Sequence, residues 1–236
     1  MGKHLSRAIL GVLAFFLLST PSLALEESRE VYTRIATTEK VVALTFDDGP
    51  HPKYTPMILD ILAEYDAKAT FFVIGKNVEL YGEHVRRAVR EGHEIGNHTY
   101  GHISPSLLSR SQLEDEILRN EGLIEEVAGE PPELFRPPEG YLSAAVRQVA
   151  KRDALPIILW NVDTRDWAGV APDEIAKHVM RNTEGGSIIL FHDYIAKDSP
   201  TPRALKKILP QLRAAGYRFL TVSELLSYAT PAADAD

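Results

Sequence analysis

The sequence predicts a parallel α/β fold, a barrel or near-barrel of about seven strands with the helices outside. Three observations predict it. From about residue 40 to residue 228, short apolar runs alternate with amphipathic stretches, which is the pattern of repeated β/α units. No composition break or Gly/Ser-rich linker interrupts that region. The short runs are apolar throughout rather than alternately polar, as strands buried on both faces are. A chain of 236 residues with 44% hydrophobic composition has enough apolar material for one large domain.

Taken in order, residues 41–46 read as the first strand and 55–65 as an amphipathic helix. Residues 70–74 read as a strand, 78–91 as a helix and 93–96 as a short strand. A loop follows, then a helix over 111–128, opened by Ser111 with Glu114 three residues on, in the manner of a capping box. A short run at 134–136 precedes a helix near 143–152. Residues 157–160, 187–191 and 217–220 read as strands; 172–182, 202–215 and 222–228 read as helices.

The first residues have a different character. Lys3 and Arg7 precede the apolar run Ala8–Leu18, and Ser22-Leu23-Ala24 gives a small-x-small pattern, so residues 1–24 read as an export signal cleaved after Ala24. The run is short for a membrane span, so no stable span is expected after cleavage; an uncleaved N-terminal anchor is the alternative. Either way the folded part, residues 40–228 between a short 25–39 segment and a 229–236 tail, is expected outside the cytoplasm. Removing Lys3 and Arg7 takes the formal charge from −7 to −9. An acidic domain without a basic stripe has no electrostatic basis for binding nucleic acid. There is no cysteine, which excludes disulfides, thiolate metal sites and a thiol nucleophile. Any metal must be held by His, Asp or Glu.

In parallel α/β folds the chemistry sits at the C-terminal ends of the strands. Ionisable residues recur there: Asp47 and Asp48, then His98 and His102 beside Asn97, then Arg136 and Glu139, then Asp163 and Asp166, then His192 and Asp193. Singly, each has an ordinary explanation; Asp-Gly, for example, is a common turn pair. On a helical turn the His98-x-x-x-His102 spacing brings two imidazoles within reach of one ion, although Gly101 equally suits a tight loop. The intervening Thr99-Tyr100-Gly101 lacks the Glu that a zinc protease helix uses as its base, so the base and the third ligand must come from elsewhere.

The adjacent carboxylates of TFDDGP, residues 45–50, then find a reason. Successive strand side chains point to opposite faces, so both can face one site only where the strand ends, and Gly49-Pro50 ends it. Two carboxylates are tolerable together if a cation neutralises one and an arginine meets the other. Asp48 is expected at the metal and Asp47 as the base.

TFDDGP, HTYGH, RPPEG, DTRDW and LFH resemble, in this order, the motifs of the polysaccharide deacetylase family, also called the NodB-homology domain or carbohydrate esterase family four. The resemblance spans about residues 40–228. It implies a distorted (β/α) barrel and metal-dependent hydrolysis of N-acetyl groups on an amino-sugar polysaccharide substrate. It implies one divalent ion, zinc first with cobalt or nickel as alternatives, held by Asp48, His98 and His102. Asp47 looks like the general base, Arg136 like the residue that orients it, and His192 like the general acid with Asp166 as its partner. The Glu139 backbone N–H matches the position that helps hold the oxyanion, Trp167 a groove wall, and Leu190 part of the acetyl-methyl pocket. The third motif often carries Tyr where this chain has Glu139, which adds negative charge near the groove. O-acetyl hydrolysis and a non-catalytic saccharide-binding role are the alternative functions.

Overall fold

The computed structural model describes residues 31–195 and 198–229. The expected export segment at residues 1–24 and nearly all of the expected C-terminal tail lie outside the described residues. Strand β2 (Val41–Asp47) is the centre of the fold, and all its residues are buried. Its even positions Val42, Leu44 and Phe46 join the large cluster packed under the helices. Its odd positions Val41 and Ala43 join the cluster on the other side, and Thr45 and Asp47 continue that odd row. This two-residue period delivers Asp47 to the inner face.

Strand β2 pairs with β3 (Ala69–Val73) on one edge and with β7 (Ile188–His192) on the other, both in parallel. The register sets Phe46 beside Phe71 and Phe191, and the rings stack at 5.0 and 5.5 Å on the helix side. Beyond β3 lies β4 (Glu94–Asn97), and beyond β7 lies β6 (Val162–Asp163). Strand β8 (Arg218–Leu220) pairs with the first half of β2, and β1 (Val31–Tyr32) with β5 (Ile157–Ile158). Phe135 bridges Asn97 to Ile157. The stretch from 157 to 163 therefore touches β4 through Phe135 at one end and β7 at the other, which joins the two edges into a distorted barrel.

Three expectations need correction. The expected strand 157–160 ends at Ile158, and pairing resumes only at Val162. The reason is polar: the carbonyls of Ile158 and Leu159 accept hydrogen bonds from the buried Arg136 guanidinium. The run at 134–136 forms an isolated bridge rather than a strand. Finally, the helix Arg110–Ala128 is capped by Ser109, not Ser111: its hydroxyl accepts from Gln112 N–H, and the Gln112 side chain accepts from Ser109 N–H. Glu114 instead binds Arg110 and Arg152.

Helices α1 (Tyr54–Glu64), α2 (Gly75–Arg90), α3 (Arg110–Ala128), α4 (Ala144–Arg152), α5 (Pro172–Asn182), α6 (Thr201–Ala214) and α7 (Val222–Leu226) complete the described fold. None is long and apolar enough to cross a membrane.

Candidate metal centre and catalytic cavity

Asp47, at the end of β2, is 3% exposed, and its Oδ1 accepts from Arg136 Nη1 at 2.6 Å. Arg136 is wholly buried and also donates to Thr45 Oγ1, Ile158 O and Leu159 O. Burial works against the guanidinium's charge and the Asp47 carboxylate supports it. A buried charge needs such a paired and hydrogen-bonded setting.

Asp48 is the first residue past the strand and has φ of 75°. This left-handed step ends the alternation, so the second carboxylate reaches the same site. Gly49 follows because nothing larger fits: a Cβ there would lie 2.2 Å from the Asp193 carboxylate. Asp193 is buried behind the turn, bonded to Thr55, and pushed up to about 7 by burial; it does not line the cavity.

His98 follows β4, and its Nδ1 lies 2.7 Å from the Arg136 carbonyl. A carbonyl only accepts, so Nδ1 carries the hydrogen and the lone pair is on Nε2. That Nε2 is 3.5 Å from Asp48 Oδ1, and His102 Nε2 is 3.2 Å from the same oxygen. The segment between the histidines is a loop rather than a helical turn, with Thr99 at φ 66° and His102 at φ 53°. The i,i+4 spacing therefore works here through backbone turns.

The donor set fits a divalent ion. The ligand atoms of Asp48, His98 and His102 lie within 4.8 Å of one another, and Asp48 Oδ1 is a buried oxygen without a hydrogen-bond partner. The two histidines titrate in opposite directions. Burial opposes the charge on His98, but the Asp47 and Asp48 carboxylates outweigh it and raise the imidazole. Burial and the neighbouring His98 lower His102, which favours its neutral, ligating form. Three N/O ligands leave coordination positions open, the arrangement of a catalytic rather than structural centre.

His192 ends β7. Its Nδ1 lies 2.8 Å from Asp166 Oδ1, and its backbone N–H donates to Asp166 Oδ2. Thr201 Oγ1 and Trp167 N–H complete the grip on the wholly buried Asp166. Burial works against a charged His192, yet Asp166 outweighs it and pushes the imidazole up to about 9.

These groups meet in one cavity of about 470 Å³, lined by Asp47, Asp48, His98, His102 and His192 together with Glu139, Trp167 and Leu190. Asp163, expected at this end of the strands but without a role, also lines it, as does Trp160, which sequence reasoning did not place there. Trp167 is 56% exposed at the rim and Leu190 3% exposed within. Glu139 has φ 59°, and its carboxylate accepts from Ser104 Oγ at 2.8 Å. Arg136 and Asp166 stand behind the lining. His51 is occupied at the start of α1, where its Nδ1 accepts from Lys53 and Tyr54 N–H.

A family model described as polysaccharide deacetylase matches residues 34–158. The chain belongs to the polysaccharide deacetylase family. A peptidoglycan-N-acetylglucosamine deacetylase of Bacillus cereus is 46% identical over 206 residues, covering 86% of this chain and 96% of that protein. A solved peptidoglycan N-acetylglucosamine deacetylase, crystallised with a naphthalenyl N-hydroxybenzamide, superposes with TM-score 0.83 at 36% identity, covering 89% of this chain and 98% of the other. A family 4 acetyl xylan esterase from Clostridium thermocellum, in complex with a cobalt ion, superposes with TM-score 0.74 at 36% identity, covering 80% and 91%. As a polysaccharide deacetylase, the chain is an enzyme whose motifs converge on the cavity described above.

Proposed function

We propose that this polysaccharide deacetylase is a metal-dependent hydrolase that removes N-acetyl groups from an N-acetylglucosamine-type polysaccharide and releases acetate. The observation that carries the reading is the convergence in one cavity of three parts: an orphaned carboxylate oxygen facing two imidazole Nε2 atoms, an arginine-held carboxylate, and a histidine raised to about 9. A divalent ion held by Asp48, His98 and His102, with zinc first and cobalt or nickel compatible with the same donors, would supply positive charge for the acetyl carbonyl and lower the pKa of water.

The chain's own residues do the rest. Asp47, oriented by Arg136, takes the proton of the attacking water. The Glu139 backbone N–H supports the negative charge that develops on the carbonyl oxygen. His192, kept protonated by Asp166, gives its proton to the departing amine. Leu190 meets the acetyl methyl and Trp167 lines the sugar groove. Acid and base differ in chemical type, so each holds its own protonation state at one pH.

Peptidoglycan is the first candidate polymer, from the export-type N-terminus and the names of the relatives; chitin oligomers follow. The work is assigned outside the cytoplasm on the same ground. Likeness to the acetyl xylan esterase supports a second reading, O-acetyl hydrolysis. A panel of N-acetylglucosamine oligomers, peptidoglycan and acetylated xylan, assayed for acetate with zinc-loaded protein, separates them. Acetate from the first two but not xylan supports the amide reading; acetate from xylan alone overturns it.

A further inference from the structure

Outside the cavity, one buried polar group is tied to the ligand loop and has no role so far. Asn120 sits on α3, wholly buried. Its Nδ2 donates to Val73 O, at the end of β3, and to Asn97 Oδ1, both at 2.9 Å. Asn97 Oδ1 also accepts from Thr99 N–H at 2.9 Å, and Asn97 Nδ2 donates to Ile117 O. Val73 O in turn accepts from His98 N–H. Two amide side chains thus hold the chain at His98 from two directions: the neighbouring β3 carbonyl that takes the His98 N–H, and the left-handed Thr99 after it.

The fit is close on all sides. A Cβ on Gly75 would fall 2.6 Å from the Tyr100 ring and 2.9 Å from Asn120 Oδ1, so α2 can begin there only with glycine. Gly75 N–H and Lys76 N–H donate to the carbonyls of Thr99 and Tyr100. Thr99 Oγ1 accepts from His102 N–H, which carries the constraint on to the second histidine. Meanwhile Asn120 Oδ1 is buried without a partner. An unpaired buried oxygen lowers stability, so the amide at this position is poorly explained by fold stability alone. Its two donated bonds, however, can be made by no apolar residue and by no acceptor-only group.

We infer that Asn120 is a positioning residue for the metal: through Val73 it holds the backbone of His98, and through Asn97 and Thr99 that of His102, in the arrangement that binds the ion. The inference rests on the metal site proposed above. Residues behind the ligands that fix ligand orientation commonly contribute 10–100-fold to metal affinity.

The test measures zinc affinity of the purified full chain by competition with a chromophoric chelator, beside thermal melting of the metal-free protein. Asn120→Asp keeps the shape and loses the donors; Asn120→Ser, a milder change, covers the case in which the first does not fold. Ile124→Val, a buried change elsewhere on α3, controls for lost stability. Both Asn120 variants are expected to bind zinc about 10- to 100-fold more weakly, while Ile124→Val melts lower with unchanged affinity. Asn120 variants that melt lower but bind zinc within about fivefold of the parent fall below that range and overturn the inference. Failure of the parent chain itself to bind zinc overturns the metal reading and this inference with it.

Discussion

Asp47 and His192 are register partners on neighbouring parallel strands. Their side chains therefore leave β2 and β7 on the same face. The pairing register brings the proposed base and acid side by side into one cavity, and a one-residue slip would turn either away.

The acid limb follows from His192, raised to about 9. The rate should hold through neutral pH and fall as pH rises past about 9, where the imidazole gives up its proton. In Asp166→Asn, that fall should move toward the ordinary histidine value of about 6.5. Stability moves with it: the folded-state pKa exceeds the unfolded one, so the contribution is complete below about 6.5 and disappears as pH rises through about 9. A pH-rate profile and melts at pH 6 and pH 9.5 check both.

Arg136→Met leaves Asp47 buried without its cation. Breaking a buried pair costs about 3–5 kcal/mol, which for a domain of this size lowers Tm by roughly 6–20 °C. Arg136→Lys should recover little, since one ammonium cannot span the acceptors on Asp47, Thr45, Ile158 and Leu159. Calorimetry decides.

Zinc should stabilise the protein by mass action, by about 2.7 kcal/mol at a hundredfold excess over Kd. Chelation should abolish acetate release and zinc restore it. In His102→Ala the thermal shift on adding zinc should shrink markedly.

Glu139 brings a carboxylate to the rim of the cavity, bonded there to the neutral Ser104. Glu139→Gln should lower kcat/KM on partly deacetylated, cationic oligomers about threefold relative to fully acetylated ones, in line with an exposed charge contact. Added salt should shrink the difference.

Most of the barrel was legible because strands buried on both faces are continuous apolar runs, as at 41–47 and 188–192. What stayed hidden was set by polar contacts distant in sequence. The break between Ile158 and Val162 depends on the Arg136 guanidinium, and nothing local in residues 157–163 announces it. The proposed ligands were picked out by motif order, and the structure brings them together, but the loop between His98 and His102 depends on Asn97 and Asn120, far apart in the chain. Trp160 falls in the gap between Ile158 and Val162, so its place in the cavity followed the same missed break. The α3 start was readable: Ser109 with Gln112 is a capping box as good as Ser111 with Glu114, and tertiary contacts of Glu114 chose between them.

The most direct test is Asp47→Asn in the zinc-loaded enzyme, assayed for acetate release from N-acetylglucosamine oligomers alongside zinc affinity. Loss of a positioned base predicts a fall in kcat of about 10²- to 10⁴-fold with zinc still bound. A variant that binds zinc and keeps kcat within about threefold of the parent, far short of a base's contribution, would contradict the account.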